Sequence, residues 1–512
     1  MLLALACSAG LLAACAAARN GVGAGQSEQA PSAEPSAEPT AQTTPGPTPR
    51  FMLHLEAEDA QATALEVVQI PTGGLAVGDW DDEASRLTFL LDVPSTGYYE
   101  LNFRIAGVYG ESANTIVVNG RVLRGVLQTA GDQYETDTVL VSLAAGRNTI
   151  CVERGQGSIR IDSVDVVASD GLNDGLYRVD YALSNPNASE QAKELFRYLQ
   201  SVYGEATLSG QYASDQGAYS QEVQALYRLT GKYPAILGID LMDYSPSRVS
   251  RGAQTSATDD ALEWASRGGI LTLLWHWNAP KGLIDSDALP WWDGYKAAAT
   301  TFDLGAALDG SDPEGYALLL RDIDAIAVQL QRLADAGVPV LWRPLHEASG
   351  GWFWWGAYGA DNYIKLWRLM YDRLTNVHGL DNLIWVYNGQ AGTWYPGDAY
   401  VDIIAEDAYV SARDYESLYN LFYRATRYTD APKMIGLAEN GAIPDPALLV
   451  RDNARWLFFI TWSDLFVVDP QSGEISDQYN ELEHFTAVYD SETIITLDEL
   501  PDWSQTAPPR IG

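Results

Sequence analysis

The chain has 512 residues, enough for two or three domains with cores of their own. Asp and Glu number 68 against 32 Lys and Arg, a formal net charge of -36 that repels phosphate backbones and anionic lipid headgroups. With 47% hydrophobic residues, 16 Trp and 28 Tyr, the composition excludes bulk disorder and favours a neutral ligand held on aromatic faces, sugars among them.

Residues 1–18 contain, after Met1, only Leu, Ala, Cys, Ser and Gly. This run resembles the apolar part of a secretory signal and is too short and Ala-rich for a membrane span. Leu12-Ala13-Ala14-Cys15 reads as a lipoprotein cleavage box with Cys15 as the lipidated residue, although no basic residues precede it. The expected location is therefore extracellular or on the cell surface, with a lipid anchor as the only contact with a membrane. Residues 19–50 carry a near repeat, Pro31-Ser32-Ala33-Glu34-Pro35-Ser36-Ala37-Glu38, with too little apolar surface to offset chain entropy, and read as a disordered linker. Cys7, Cys15 and Cys151 are the only cysteines, so the body of the protein has no disulfide framework. Cys151, in the alternating run Asn148–Val152, reads as a small buried core residue.

Residues 53–168 form a series of short alternating runs: Leu87–Val93, Tyr98–Arg104, Thr115–Gly120, Thr138–Leu143 and Ile159–Val164, punctuated by glycine turns. This spacing predicts an all-β sandwich of jelly-roll type. From residue 182 to 503, apolar runs alternate with amphipathic helices. Eight runs are counted, at residues 207–211, 235–240, 270–276, 338–343, 383–388, 403–407, 434–439 and 457–462, which favours a closed (β/α)8 barrel of the TIM type over an open sheet.

The C-terminal strand ends of such a barrel build the active site, and here they are polar and aromatic. The third run ends Trp275-His276-Trp277-Asn278, the fourth Arg343-Pro344-Leu345-His346-Glu347, the sixth Glu406-Asp407-Ala408-Tyr409, the seventh Ala438-Glu439-Asn440-Gly441, and the eighth Thr461-Trp462-Ser463-Asp464. Glu347 and Glu439 thus face one another across the barrel. Glycosidic cleavage with retention needs one protonated and one ionised carboxyl about 5 to 5.5 Å apart, in different surroundings. A bland reading, each glutamate paired with an arginine at a strand end, weakens when two occupy matched ends. His276 and His346 read equally as sugar contacts and as orienting residues, while His54, His378 and His484 read as surface or helix-end residues. His346-Glu347 lacks the second histidine of a zinc motif, and no Gly-x-Ser-x-Gly elbow or phosphate loop is present. The loop Gly350–Gly356 carries Trp352, Phe353, Trp354 and Trp355; Trp352, nearest Glu347, is the one assigned to a sugar cleft.

The motif Leu341-Trp342-Arg343-Pro344-Leu345-His346-Glu347, followed by Gly351-Trp352-Phe353-Trp354-Trp355-Gly356, resembles glycoside hydrolase family 26, chiefly endo-β-1,4-mannanases. The resemblance spans residues 182–503. It implies Glu347 as acid/base and Glu439 as nucleophile, with His276, His346, Trp352, Asp407, Tyr409 and Trp462 at the sugar sites and Tyr409 bonded to the nucleophile. Some family mannanases carry Arg after the last Trp, where this chain has Ser463, which leaves a distal mannose site in question. The sandwich resembles carbohydrate-binding module family 35 through Leu55–Ala60, Val118-Asn119-Gly120, Ala145–Ile150 and Ile161–Val164. That resemblance implies a structural calcium held by Glu56, Glu58 and Asp162, carboxylates of the kind calcium prefers.

The combined expectation is a secreted retaining endo-β-1,4-mannanase, monomeric, acting on mannan, galactomannan, glucomannan or manno-oligosaccharides, with no cofactor in catalysis and no nucleic-acid partner. The rivals are a same-family β-1,3-1,4-glucanase or β-1,3-xylanase and, in another class, a noncatalytic cell-surface glycan-binding lipoprotein.

Overall fold

A computed structural model describes residues 50–502, apart from 72, 79, 108–111, 130, 131, 157 and 470. The signal-like segment, Cys15 and the linker lie outside the described residues.

Among the described residues, eleven strands form the N-terminal module: β1 (Met52–Glu56), β2 (Gln61–Thr63), β3 (Glu66–Gln69), β4 (Leu75–Gly78), β5 (Arg86–Val93), β6 (Gly97–Gly107), β7 (Ser112–Val118), β8 (Arg121–Thr129), β9 (Glu135–Leu143), β10 (Gly146–Gln156) and β11 (Ile159–Ser169). One sheet runs β3-β4-β11-β6-β9 with β1 against β11, the other β2-β5-β10-β7-β8, and all their pairings are antiparallel. Period-two alternation explains the packing. In β5, Leu87, Phe89, Leu91 and Val93 turn inward, and they meet Leu101, Phe103 and Ile105 of β6. Cys151 departs from expectation. Its neighbours Ile150 and Val152 take the inward face, so Cys151 points outward and is only half-buried.

The second module is a closed ring of eight parallel strands: β12 (Thr207–Tyr212), β13 (Ile236–Asp240), β14 (Ile270–Leu274), β15 (Val340–Arg343), β16 (Leu383–Tyr387), β17 (Ile403–Ala408), β18 (Met434–Asn440) and β19 (Phe458–Thr461). Pairing of β12 with both β13 and β19 closes it. Covered on both faces, the strands are near-continuous apolar runs. Outer helices show the complementary 3.6 period: in Pro313–Asp335, capped by the Asp312 side chain, Leu319, Ile323, Ile326 and Leu330 form the buried stripe. Among the described residues, no helix is long and apolar enough to cross a membrane.

The glycine-flanked aromatic loop divides as its neighbours require. Trp354 and Trp355 are fully buried, with the Trp354 indole N–H donating to the Trp277 carbonyl at 2.6 Å, whereas Trp352 is 46% exposed. Replacing Trp354 by Ala is expected to cost about 3–5 kcal/mol in a denaturant titration, and Trp352→Ala less than about 1 kcal/mol.

Candidate active site

The chain leaves β15 through two left-handed residues, Leu345 (φ 54°) and Glu347 (φ 51°). Non-glycine residues hold this conformation only where neighbours enforce it. Here the Glu347 N–H donates to the Asn388 carbonyl at 2.7 Å and the Ser349 N–H to that of Gly389 at 3.2 Å, so the loop after β16 fixes the turn. Trp352 folds back to give its indole N–H to Glu347 Oε2 at 2.9 Å. A Cβ on Gly350 would lie 1.9 Å from the Trp352 ring, so glycine there allows the return.

Across the barrel, Glu439 is 4% exposed at the end of β18. The buried Arg343 guanidinium donates to Glu439 Oε1, to Asp407 Oδ2 at 3.2 Å, to Asn388 Oδ1 at 2.6 Å and to the Tyr212 hydroxyl at 3.1 Å. The Tyr409 hydroxyl donates to the other Glu439 oxygen at 2.5 Å. One carboxylate oxygen from each of Glu347, Asp407 and Glu439 lies within 4.8 Å of the others.

Three carboxylates thus crowd around one guanidinium, and like charges at this distance disfavour full ionisation. Burial, and then the charge of Glu439, push Glu347 up to about 7, opposed by the Trp352 N–H and Arg343. The same two causes hold Asp407 well above the ordinary carboxylate range. The Glu439 oxygens, by contrast, receive hydrogen bonds from Arg343 and Tyr409. Glu347 is placed to keep its proton near neutrality, while the oxygens of Glu439 are held between two donors.

Behind Glu347 two histidines lean on one another, His276 Nε2 lying 3.1 Å from His346 Nε2. His276 Nδ1 meets Asp240 at 2.7 Å, which orients the ring. His346 is buried against Phe353 and Trp355, and burial first, then His276 and Arg343, hold its pKa well below the usual value, so it is neutral. Trp462 is half-buried, 4.8 Å from the Tyr212 ring and 6.1 Å from His276.

The residues singled out from sequence therefore gather at one end of the barrel, in two layers. Trp352 and Tyr409 are open to solvent, and His276 and Trp462 are partly so. His346 and the Asp407 side chain are buried beneath them, positioned to hold other groups rather than to meet sugar directly. Buried Ser463 places no cation beside Trp462. Sequence reasoning passed over Arg343, Tyr212, Asn388 and Asp240. Arg343 stood inside the motif, and Asp240 ended the second run. His484, read as a surface or helix-end residue, sits half-buried in the first turn of the helix Leu482–Tyr489, where it stacks on Tyr415 with ring centres 3.6 Å apart and bonds to the Ile443 carbonyl at 2.8 Å.

In the sandwich, Glu56, Glu58 and Asp162 line one cavity of about 360 Å³, together with His54, Arg104 and Asp165. A buried Glu58 oxygen has no partner, and this donor set suits an oxygen-seeking cation. Asp162, however, accepts from Arg104 at 2.6 Å, and His54 bridges Glu56 and Asp165. These acids do not converge as tightly as the barrel triad.

Residues 184–499 match the model of glycosyl hydrolase family 26, and residues 53–169 that of carbohydrate binding module family 35. A mannan endo-1,4-beta-mannosidase of Thermothelomyces thermophilus is 43% identical over 88% of this chain and 91% of its own. Mannan endo-1,4-beta-mannosidase B of a Piromyces species is 30% identical over 88% of this chain and 78% of its own. The crystal structure of the Podospora anserina GH26-CBM35 β-(1,4)-mannanase superposes with a TM-score of 0.61 at 41% identity, covering 88% of this chain and 98% of that one. A ruminal GH26 endo-β-1,4-mannanase gives the same score at 31% identity, again covering 88% and 98%. The expected sandwich, barrel and family all hold: the chain belongs to glycosyl hydrolase family 26 and carries a family 35 carbohydrate-binding module on the N-terminal side of its barrel.

Proposed function

We infer that the protein is a retaining endo-β-1,4-mannanase, and the observation that carries the chemistry is the proximity of Glu347 and Glu439. Their oxygens approach within 4.8 Å, short of the roughly 6.5–9.5 Å that an inverting enzyme needs to seat a water between them.

In the first step Glu347 gives its proton to the glycosidic oxygen while Glu439 attacks the anomeric carbon from the opposite face. The leaving chain departs as an alcohol, and a mannosyl ester forms on Glu439. Glu347, now ionised, takes a proton from water, the water oxygen attacks the same carbon, and Glu439 leaves as a carboxylate. Arg343 and Tyr409 hold Glu439 in line and stabilise the charge that returns to it. Removing the Tyr409 hydroxyl in Tyr409→Phe is expected to lower kcat by about 10- to 100-fold with a smaller change in KM, measured on a soluble manno-oligosaccharide. His276, Trp352 and Trp462 form sugar-facing surface, and the indole N–H of Trp352 ties that surface to the acid.

The sandwich is assigned a calcium ion held by Glu56, Glu58 and Asp162, where a divalent charge would offset acids crowded at one edge. The protein is further assigned to the extracellular space or cell surface, retained there if Cys15 is lipidated. Support for these two assignments is the carboxylate-lined cavity and the apolar N-terminal run that contains Cys15.

Reducing-sugar release from linear mannan, galactomannan, glucomannan, mixed-linkage β-glucan and β-1,3-xylan tests the substrate. Turnover of the mannans supports the reading. Turnover of only glucan or xylan would overturn the substrate class, and binding without any turnover would make the protein a glycan receptor.

A further inference from the structure

The helix that follows β17, Tyr419–Ala425, lies between the two modules. On its sandwich side the Tyr419 hydroxyl accepts from the Ser142 N–H of β9 at 3.0 Å, and the Tyr423 hydroxyl donates to Glu100 of β6 at 2.6 Å. The Tyr98 ring of β6 packs edge-on against Tyr419 at 5.4 Å. These contacts involve buried or half-buried tyrosines, which holds the helix more firmly than exposed ion pairs would.

The same helix carries Arg424, which turns toward the barrel. Its guanidinium donates to the Gln390 carbonyl at 3.1 Å, in the loop after β16, and Gln390 itself is held at φ 61°. Around Arg424 stand the Tyr428 side chain, the buried Glu406 of β17 and, from the sandwich, Asp137 of β9. That loop is the one on which the active site depends. Asn388 accepts the Glu347 N–H and bonds Arg343, while its own amide donates to the Ala405 carbonyl at 2.9 Å, and Gly389 accepts from Ser349.

We propose that Arg424 is a positioning residue through which the sandwich helps hold the loop 388–390, and with it Glu347 and Arg343, in the geometry that hydrolysis requires. The family 35 module then serves the chemical step as well as carrying sugar affinity. The inference rests on the reading of Glu347 as acid/base.

The test uses the full chain and a short soluble manno-oligosaccharide, for which tethering to an insoluble polymer gives no advantage. Arg424→Gln is expected to lower kcat about tenfold with KM within about twofold, because the loop supports reacting groups rather than sugar contacts. Arg424→Lys should recover most of that loss, and Asp137→Asn should lower kcat about two- to threefold. A folded Arg424→Gln enzyme with wild-type kcat would overturn the positioning role, and an Asp137→Asn enzyme with wild-type kcat would overturn the part assigned to the sandwich. If Arg424→Gln does not fold, Asp137→Asn decides alone. Glu347→Gln run in parallel separates the two readings. Full activity there removes the acid/base assignment and this inference with it, whereas its inactivity beside an unaffected Arg424→Gln enzyme overturns the positioning role alone.

Discussion

Glu439→Ala is expected to lower kcat on mannan by at least about 10⁴-fold, with the fold and glycan binding intact. The reason lies in what this carboxylate does and in its surroundings. No other group among the described residues combines burial at the end of β18, two strong donors, and an oxygen within 4.8 Å of Glu347. Removing it leaves Arg343 with Asp407 as its carboxylate partner, and takes away a charge that raises the pKa of both Glu347 and Asp407. The space vacated suits a small anion. Added azide is therefore expected to restore turnover of an activated aryl mannoside and to give the α-mannosyl azide, because the anion attacks from the face where Glu439 stood. Activity in Glu439→Ala without azide would assign the nucleophile elsewhere.

The second large effect is expected at Glu347. Glu347→Gln should lower turnover of mannan by about 10²- to 10⁴-fold, and lose far less on an aryl mannoside whose leaving group needs no proton. Wild-type activity should fall as pH rises through about 7, where the acid loses its proton, and the variant should lack that limb. Stability has a linked sign. The folded-state pKa of Glu347 is raised above its ordinary 4.5, so the protonated form suits the fold, and stability is lost as pH rises from about 4.5 to about 7. Above that window Glu347→Gln should melt at a higher temperature than wild type, and below pH 4.5 the difference should close. Equal melting temperatures at pH 8 would contradict the burial argument. Such a gain would be the usual trade between a destabilised site and its activity.

The sequence reading succeeded where periodicity or strand position carries the information. Alternation in Leu87–Val93 and Tyr98–Arg104 announced a sandwich, and eight apolar runs announced the ring, because each strand reports its own burial. Glu347 and Glu439 were legible because barrel topology says where strand ends meet. Short strands such as Gln61–Thr63 and Leu75–Gly78 were not legible, since three or four residues hold too little pattern. The buried network escaped for another reason: Arg343 bonds Tyr212, Asn388 and Glu439 across 131, 45 and 96 positions, and nothing local in those segments signals the partnership. Trp352 and Trp354, two positions apart, took opposite fates because one returns to Glu347 and the other finds the Trp277 carbonyl. Cys151 shows the cost of a one-residue change in face, since a strand's alternation is clear before its phase is.

The most direct test of the central claim is to trap the intermediate with a 2-deoxy-2-fluoro-mannoside bearing a fluoride leaving group, digest the protein, and locate the label by mass spectrometry. The expected result is one fluoromannosyl adduct on the peptide containing Glu439. An adduct on Glu347 or Asp407, or hydrolysis with inversion and no adduct, would contradict the double-displacement account.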